Sequence, residues 1–361
     1  MDKTRAEVTL QTAMITKRRI PRTMAAVAAT FVPAARLFGY RSTSLLASAT
    51  VWNLARSLFS GPRYQGYQTT TLLTFSVYPD LTRIWYYFAQ RNLDADVKVM
   101  VVDCCGSLRK SHFPEAQVVR FWNFSHSRKI DFFIRYIVGT RYVWICDDDV
   151  MLVNPGVAKQ AHQLIGQDRV AAVSLAPRGW QLKVNGEMHK GMGSYCLLFD
   201  RGVFLSEDLS FSPAKTTDPS VGRISGYYDT GDYANRQLLE RGYTIEFLVG
   251  EAECDYVCGF VGTSTARLSL LAGRQKVLEE LSSLNMQTRV YRLVGYYCDW
   301  LVTELYRQIF EEAPQWTPDF SEQEILELMA GLEGEFREVA FHQVERYRSH
   351  YQTMLDASRN H

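Results

Sequence analysis

The sequence lacks any run approaching the roughly 18 consecutive apolar residues that a membrane-spanning helix needs. Its 47% hydrophobic content is therefore read as the supply for a packed core. Net charge is nearly absent, since 40 Lys and Arg face 39 Asp and Glu, and the total points to no partner. Cysteine is sparse and odd in number, seven in 361 residues, without framework spacing. Free thiols in a reducing compartment are the expectation. Cys254 and Cys258 have no second pair nearby, which argues against zinc and for two packed thiols. Internal repeats and low-complexity tracts are also missing.

Charge is uneven along the chain. Residues 1–66 carry ten Lys or Arg against Asp2 and Glu7, a local +8 that leaves −7 for the remainder. A basic arm with apolar patches such as MAAVAATF suits an anionic membrane surface or a flexible leader. KRRIPRTMAAVAATFVPAA has the outline of a signal peptide, but Pro33 and Arg36 interrupt it; an Arg-rich, acid-poor transit peptide is also compatible. The expectation is a cytoplasmic protein, peripheral on the inner face of a membrane through this arm. Nucleic acid is not expected as a partner, because no recognition motif accompanies the basic charge.

From residue 67 the pattern is regular. TTTLLTFSV (69–77) and VKVMVVD (97–103) read as buried strands, separated by a helix that Pro79 opens. AQVVRFW is a third, shorter strand. Ile130, Phe133, Ile134 and Ile137 recur at helical spacing, with Gly139 as a stop. YVWIC (142–146) is the next strand, and three consecutive aspartates follow it. RVAAVSLA (169–176) and SYCLLFD (194–200) add two more strands, and the stretch between them is too irregular for a helix. Asp229 or Thr230 caps a helix that Gly242 closes. Beyond about residue 265 the chain turns helical, with SEQE (321–324) as a capping box opening a last helix. Trp300, Leu301, Leu305 and Tyr306 form an apolar run in this tail, whose expected role is packing against the preceding domain. The alternation predicts an α/β sheet with parallel strands. Ligands bind such sheets outside the carboxyl ends of the strands, where Asp103 and Asp147 to Asp149 fall.

Three adjacent carboxylates repel one another. A solvated turn tolerates them, whereas hard divalent cations are held by carboxylate oxygens together with substrate phosphates. Placement at a strand's carboxyl end favours the cation.

These stretches together resemble the GT-A glycosyltransferases, closest to the inverting family-two group, over roughly residues 67–265. ICDDDV resembles that family's DXD metal motif, and GDYANRQLLERGY resembles its acidic pair leading a helix. The opening strand and VVD fit the region that holds the nucleotide base. The implied fold is a GT-A (Rossmann-like) mixed sheet flanked by helices, spanning 67–265, with a basic arm at 1–66 and a helical C-terminal region at 266–361. The implied activity moves a sugar from a nucleotide donor, a UDP-sugar by first expectation, to the hydroxyl of a lipid-linked or envelope glycan, with Mn²⁺ or Mg²⁺. By position, Asp149 ligates the metal, and Asp147 contacts the donor ribose or the metal. Asp148 is ambiguous within the triple run. Ser76 and Asp103 lie where the base binds, and Lys129 lies where the family places a residue near the diphosphate; a solvated helical lysine is the equal alternative. Gly191 and Gly193 let the backbone approach the sugar or simply turn it.

The chemistry has its own requirements. A leaving nucleoside diphosphate gathers negative charge that a divalent ion stabilises, and the acceptor hydroxyl needs a base. Asp232 matches the family's base position, with Asp229 one turn away as the substitute. Many family members add a metal-contacting His downstream; YVCGFVGTST has none, with Cys258 or Gly259 in that place. Two other readings compete. A nucleotidyltransferase usually opens with a glycine-rich basic loop, which SVYPDLTR lacks. A non-catalytic scaffold has no need of both Asp149 and Asp232.

Overall fold

The computed structural model describes residues 48–53, 55, 66–177, 179–216, 228–260 and 262–359. The strands in chain order are β1 (Gly66–Ser76), β2 (Val97–Asp103), β3 (Gln117–Arg120), β4 (Thr140–Cys146), β5 (Val150–Leu152), β6 (Val170–Ser174), β7 (Gln181–Val184), β8 (Glu187–Lys190), β9 (Cys196–Asp200), β10 (Thr244–Phe247) and β11 (Val257–Gly259). Seven of them form one sheet in the order β10-β6-β9-β4-β1-β2-β3. The pairs β1–β2, β1–β4, β2–β3 and β10–β6 are parallel. β9 runs antiparallel to both β4 and β6, which makes the sheet mixed.

Period-two alternation splits the strand side chains between two faces. Leu73, Val143, Ile145, Leu197 and Phe199 face one side. Covering them are α2 (His126–Phe132), extended by a wider turn over Phe133–Ile137, then α4 (Arg201–Ser206) and α5 (Asp232–Glu240). Leu72, Val101, Trp144 and Leu198 face the other side, against α1 (Pro79–Asn92) and α3 (Val157–Ile165). Burial on both faces explains why the strands read as near-continuous apolar runs.

The tail contributes α6 (Thr263–Leu270), α7 (Arg274–Ser283), α8 (Met286–Phe310), α9 (Glu322–Ala330) and α10 (Gly334–Arg359). Leu301, Leu305 and Tyr306 of α8 pack with Leu81, Ile84 and Phe88 on the outer face of α1. The apolar run of the tail is thus core, as expected. A buried Arg267–Asp299 pair at 3.1 Å joins α6 to α8, and Arg267 also donates to Tyr78 Oη at 2.9 Å.

Several local expectations change. The irregular stretch after β6 is a β7–β8 hairpin whose turn, Asn185–Gly186, has both residues at positive φ. Asn-Gly favours that turn type, so the signal was present. The Ser321–Glu324 capping box opens α9, but α10 follows it and is the longer helix. Residue 231, a glycine at φ +85°, caps α5, and Asp232 is its first residue. Residues 48–53, read within the basic arm, include a helical stretch docked on the sheet edge. Trp122 N–H donates to Thr50 Oγ1 at 2.7 Å, and Asn53 Nδ2 to Arg120 O at 3.0 Å. Residues 1–47, which carry most of the arm's charge, lie outside the described residues.

Candidate functional site

The β4–β9 ladder carries on to Asp147 N–H, which donates to Tyr195 O at 2.8 Å, and the chain then turns as Val150 N–H closes onto Asp147 O at 3.0 Å. This tight turn sends the three aspartates in three directions. Asp148 points inward, 5% exposed. It accepts from Thr82 Oγ1 at 2.8 Å and Ser264 Oγ at 3.5 Å. Burial raises its carboxyl to about 7. Asp147 is part-exposed and lies 3.3 Å from His126 Nε2. Burial and then the Lys129 charge lower that imidazole to about 3, so the ring offers no compensating positive charge at neutral pH. Asp149 lies beside the Gly262 backbone N–H. Burial, then the Asp147 charge, then that of Asp148, drives its carboxyl well above the usual range.

Burial takes Asp148 out of the solvated-turn reading, while Asp147 and Asp149 are only partly covered. Asp149 stands beside two further carboxylates, and its oxygen donors suit a hard divalent ion. The residues present therefore fit Mn²⁺ or Mg²⁺, with substrate oxygens completing the shell.

Asp147 and Asp149 line a cavity of about 520 Å³, together with Trp180, Tyr195 and Asp229. Asp229 reaches it from the loop before α5, where its Oδ1 accepts the Thr230 N–H at 2.7 Å. Asp232 does not line the cavity. It is fully buried, and its Oδ2 accepts the Asp229 N–H at 3.2 Å. The acidic pair thus divides, one carboxylate facing the cavity and one holding the loop behind it. Gly193 is also set back. A Cβ there would stand 1.7 Å from Ala176 O, so glycine is required by a crossing backbone rather than by the cavity. Gly191 N–H donates to Trp180 O at 3.3 Å.

A second group lies along the ends of β1 and β2. Asp103 is fully buried. Its Oδ1 accepts from Gly106 N–H at 2.6 Å and Cys105 N–H at 3.2 Å. Its Oδ2 has no hydrogen-bond partner, with Arg120 Nε at 3.7 Å. Such an orphaned acceptor is costly unless something donates to it. Ser76, opposite Asp103 in the β1–β2 register, sits 2.5 Å from Thr82 Oγ1 and so belongs to the Asp148 network. Lys129 is only 3% exposed. Its Nζ donates to Asn123 Oδ1 at 2.7 Å and lies 5.1 Å from the Phe75 ring centre. The solvated-lysine alternative is therefore wrong, because α2 packs this face against β1. Neither Asp103, Ser76 nor Lys129 lines the cavity.

The opposite wall was missed in the sequence. It comprises residues 248–250 and 252–260 with Arg346, Tyr347 and His350 of α10. His350 of α10 lies against the stretch that lacks a histidine of its own, with Nδ1 at 2.8 Å from Gly259 O. Its Nε2 is 3.1 Å from Glu253 Oε1, and Glu253 also accepts from Arg346 Nε at 2.6 Å. Spacings of one and four residues put the three α10 groups on one helical face, which was the available signal. Cys254 and Cys258 form a disulfide, which overturns their reading as packed free thiols; the other five cysteines are free and buried.

Among the described residues, no helix is long and apolar enough to cross a membrane. No protein-family model matches the chain, and no curated protein matches it. Among solved structures it is similar to a mannosyltransferase from Pyrobaculum calidifontis in complex with GDP-Man and Mn²⁺. That likeness has 12% identity over 91% of this chain and 97% of the other, with a TM-score of 0.38. It is also similar to TarS from S. aureus, at 12% identity, covering 80% of this chain and 55% of that one, with a TM-score of 0.34. A 4-diphosphocytidyl-2C-methyl-D-erythritol synthase from Anaerococcus prevotii matches at 13% identity, over 51% of this chain and 87% of its own, with a TM-score of 0.30. Likenesses of this size assign no activity.

Proposed function

We propose that the chain is a glycosyltransferase that transfers a sugar from a nucleotide donor to an acceptor hydroxyl with inversion. One observation carries this reading: Asp147, Asp149 and Asp229 converge on one cavity at the carboxyl end of β4. Asp149, assisted by Asp147, holds Mn²⁺ or Mg²⁺ against the donor diphosphate. The bound ion supplies neutralisation of the charge that develops on the leaving diphosphate. Asp103, buried at the end of β2 and set back from the cavity, shapes the loop beside the donor site by accepting the Gly106 and Cys105 N–H groups. Trp180, Tyr195 and Tyr347 give the cavity aromatic surface suited to the apolar faces of sugar rings.

The acceptor oxygen forms its bond to the anomeric carbon as the bond to diphosphate breaks, and its proton passes to a carboxylate. We assign that base to Asp229, which lines the cavity, and give Asp232 the task of orienting the Asp229 loop. The Asp229 assignment revises the preference that sequence position gave to Asp232.

For the acceptor, a lipid-linked or envelope glycan accords with the basic arm. Basic residues near anionic lipid gain roughly 1 kcal/mol each, and Val51 and Trp52 at the end of the arm are exposed. Flotation with anionic liposomes tests this. Full-length protein should float at low salt and a chain starting near residue 67 should not; failure of both excludes membrane contact. The activity itself is tested by screening UDP-, GDP- and dTDP-sugars for release of nucleoside diphosphate with and without Mn²⁺. Turnover of nucleoside triphosphates instead would favour nucleotidyl transfer.

A further inference from the structure

The far wall of the cavity carries a ligand set chemically unlike the aspartates. The sulfurs of Cys254 and Cys258 and one ring nitrogen of His350 all lie within 4.8 Å of one another. His350 is 6% exposed, and Nδ1 is engaged with Gly259 O at 2.8 Å. A backbone carbonyl on one ring nitrogen fixes the tautomer that leaves the other as a metal ligand. Here the other is Nε2, which makes no hydrogen bond although Glu253 Oε1 lies 3.1 Å away. Two acceptors facing each other at that distance need either a proton or a cation between them.

We propose that, in the dithiol form of the chain, Cys254, Cys258 and His350 bind Zn²⁺, with the Glu253 carboxylate as fourth ligand. Two thiolates, an imidazole and a carboxylate are a ligand set for zinc, and a spacing of four residues between cysteines falls within the range of zinc sites. Oxygen donors at Asp147 and Asp149 suit Mg²⁺ or Mn²⁺ instead, so the two walls select different ions. Tetrahedral bond lengths put zinc ligand atoms roughly 3.5 to 3.8 Å apart. The two sulfurs and the ring nitrogen, within 4.8 Å of one another, are already close to that spacing.

The step balances as ordinary thiol chemistry. A small dithiol reduces the Cys254–Cys258 bond, giving up two electrons and two protons and becoming a cyclic disulfide. The two protein thiols then release two protons to solvent as they bind the ion. The two forms constrain the wall differently. A disulfide between residues four apart closes a very short loop and ties that loop only to itself. The metal would add a tie through both cysteines to the contacts that already join this loop to α10, His350 Nδ1 on Gly259 O and Arg346 Nε on Glu253.

The test uses the full chain, reduced and then titrated with Co²⁺ as a spectroscopic stand-in for zinc. A thiolate-to-cobalt charge-transfer band saturating at one ion per chain is expected, with Zn²⁺ displacing it. The oxidised protein should give no band. The double substitution Cys254→Ser and Cys258→Ser retains the five buried cysteines and should also give none. His350→Gln should weaken binding at least tenfold, whereas Asp149→Ala should retain the band, because the site does not depend on the aspartates. Absence of the band in reduced wild-type protein would overturn the proposal. So would its persistence in the double serine variant, or its loss in Asp149→Ala.

Discussion

The two walls of the cavity are built by different means. The aspartate wall hangs on the sheet. β4 is clamped between parallel β1 and antiparallel β9, each pairing over several residues, so the turn at 147–149 inherits its position from the core. The opposite wall is mixed: Cys258, Phe260 and Tyr347 are buried in the core of the tail, whereas the stretch around Glu253 is held by the local disulfide and the part-exposed Arg346–Glu253 pair. Residues 249–255 of that wall are mostly exposed, and few buried contacts there imply easier local opening. The account therefore places the chemistry on the rigid wall and adaptation to substrate on the looser one.

The largest test of that division is the base. Asp229→Asn keeps the size of the side chain but removes its proton affinity, so transfer should fall about 10²-fold or more. Asp232→Asn still offers an oxygen to the Asp229 N–H and should cost less than about tenfold, with a measurable loss of stability. The reverse ranking in steady-state assays would move the base to Asp232. Next in size is Gly193→Ala, which drives a Cβ into Ala176 O. Forced overpacking typically costs about 1–3 kcal/mol, and thermal unfolding should show it as a drop of several degrees. An unchanged midpoint would show that this wall yields more readily than the account allows.

Charge on the rigid wall also predicts a pH dependence. The Asp148 carboxyl is raised from 3.8 to about 7 by burial. The folded state therefore binds its proton more tightly than the unfolded chain. Its contribution to stability must fall as pH rises through that window and level off above it. Thermal midpoints of metal-free protein should decline between those limits, and Asp148→Asn should flatten the slope. An equal slope in the variant would assign the effect elsewhere. The smallest effect is expected on the looser wall. Arg346→Ala breaks a part-exposed pair and should cost no more than about 1 kcal/mol of stability; a larger loss in denaturant titration would mean that this wall is as tightly set as the other.

The same contrast decided what the sequence revealed. The strands and the helices between them are written in local apolar periodicity, and the aspartate turn stands at the end of one such strand, so it was readable. The Asp229–Asp232 stretch was readable as a unit, but not which carboxylate faces the cavity. Orientation depends on the positive φ of Gly231 and on the loop packed against Phe211, which no spacing encodes. Lys129 was ambiguous because burial of a helical lysine is decided by what packs on it. Arg346, Tyr347 and His350 were not legible as site residues. They reach the cavity only because α10 packs along α8 and beside β11, contacts made across about ninety residues of chain.

The central claim is that the strand-end aspartates organise a metal–diphosphate complex. It is tested most directly by measuring nucleoside diphosphate release from nucleotide sugars, with and without Mn²⁺, in wild-type and Asp149→Ala proteins of matched thermal stability. The account predicts metal-dependent release by the wild type, lost on chelation, and none by Asp149→Ala. Equal release by both proteins would contradict it.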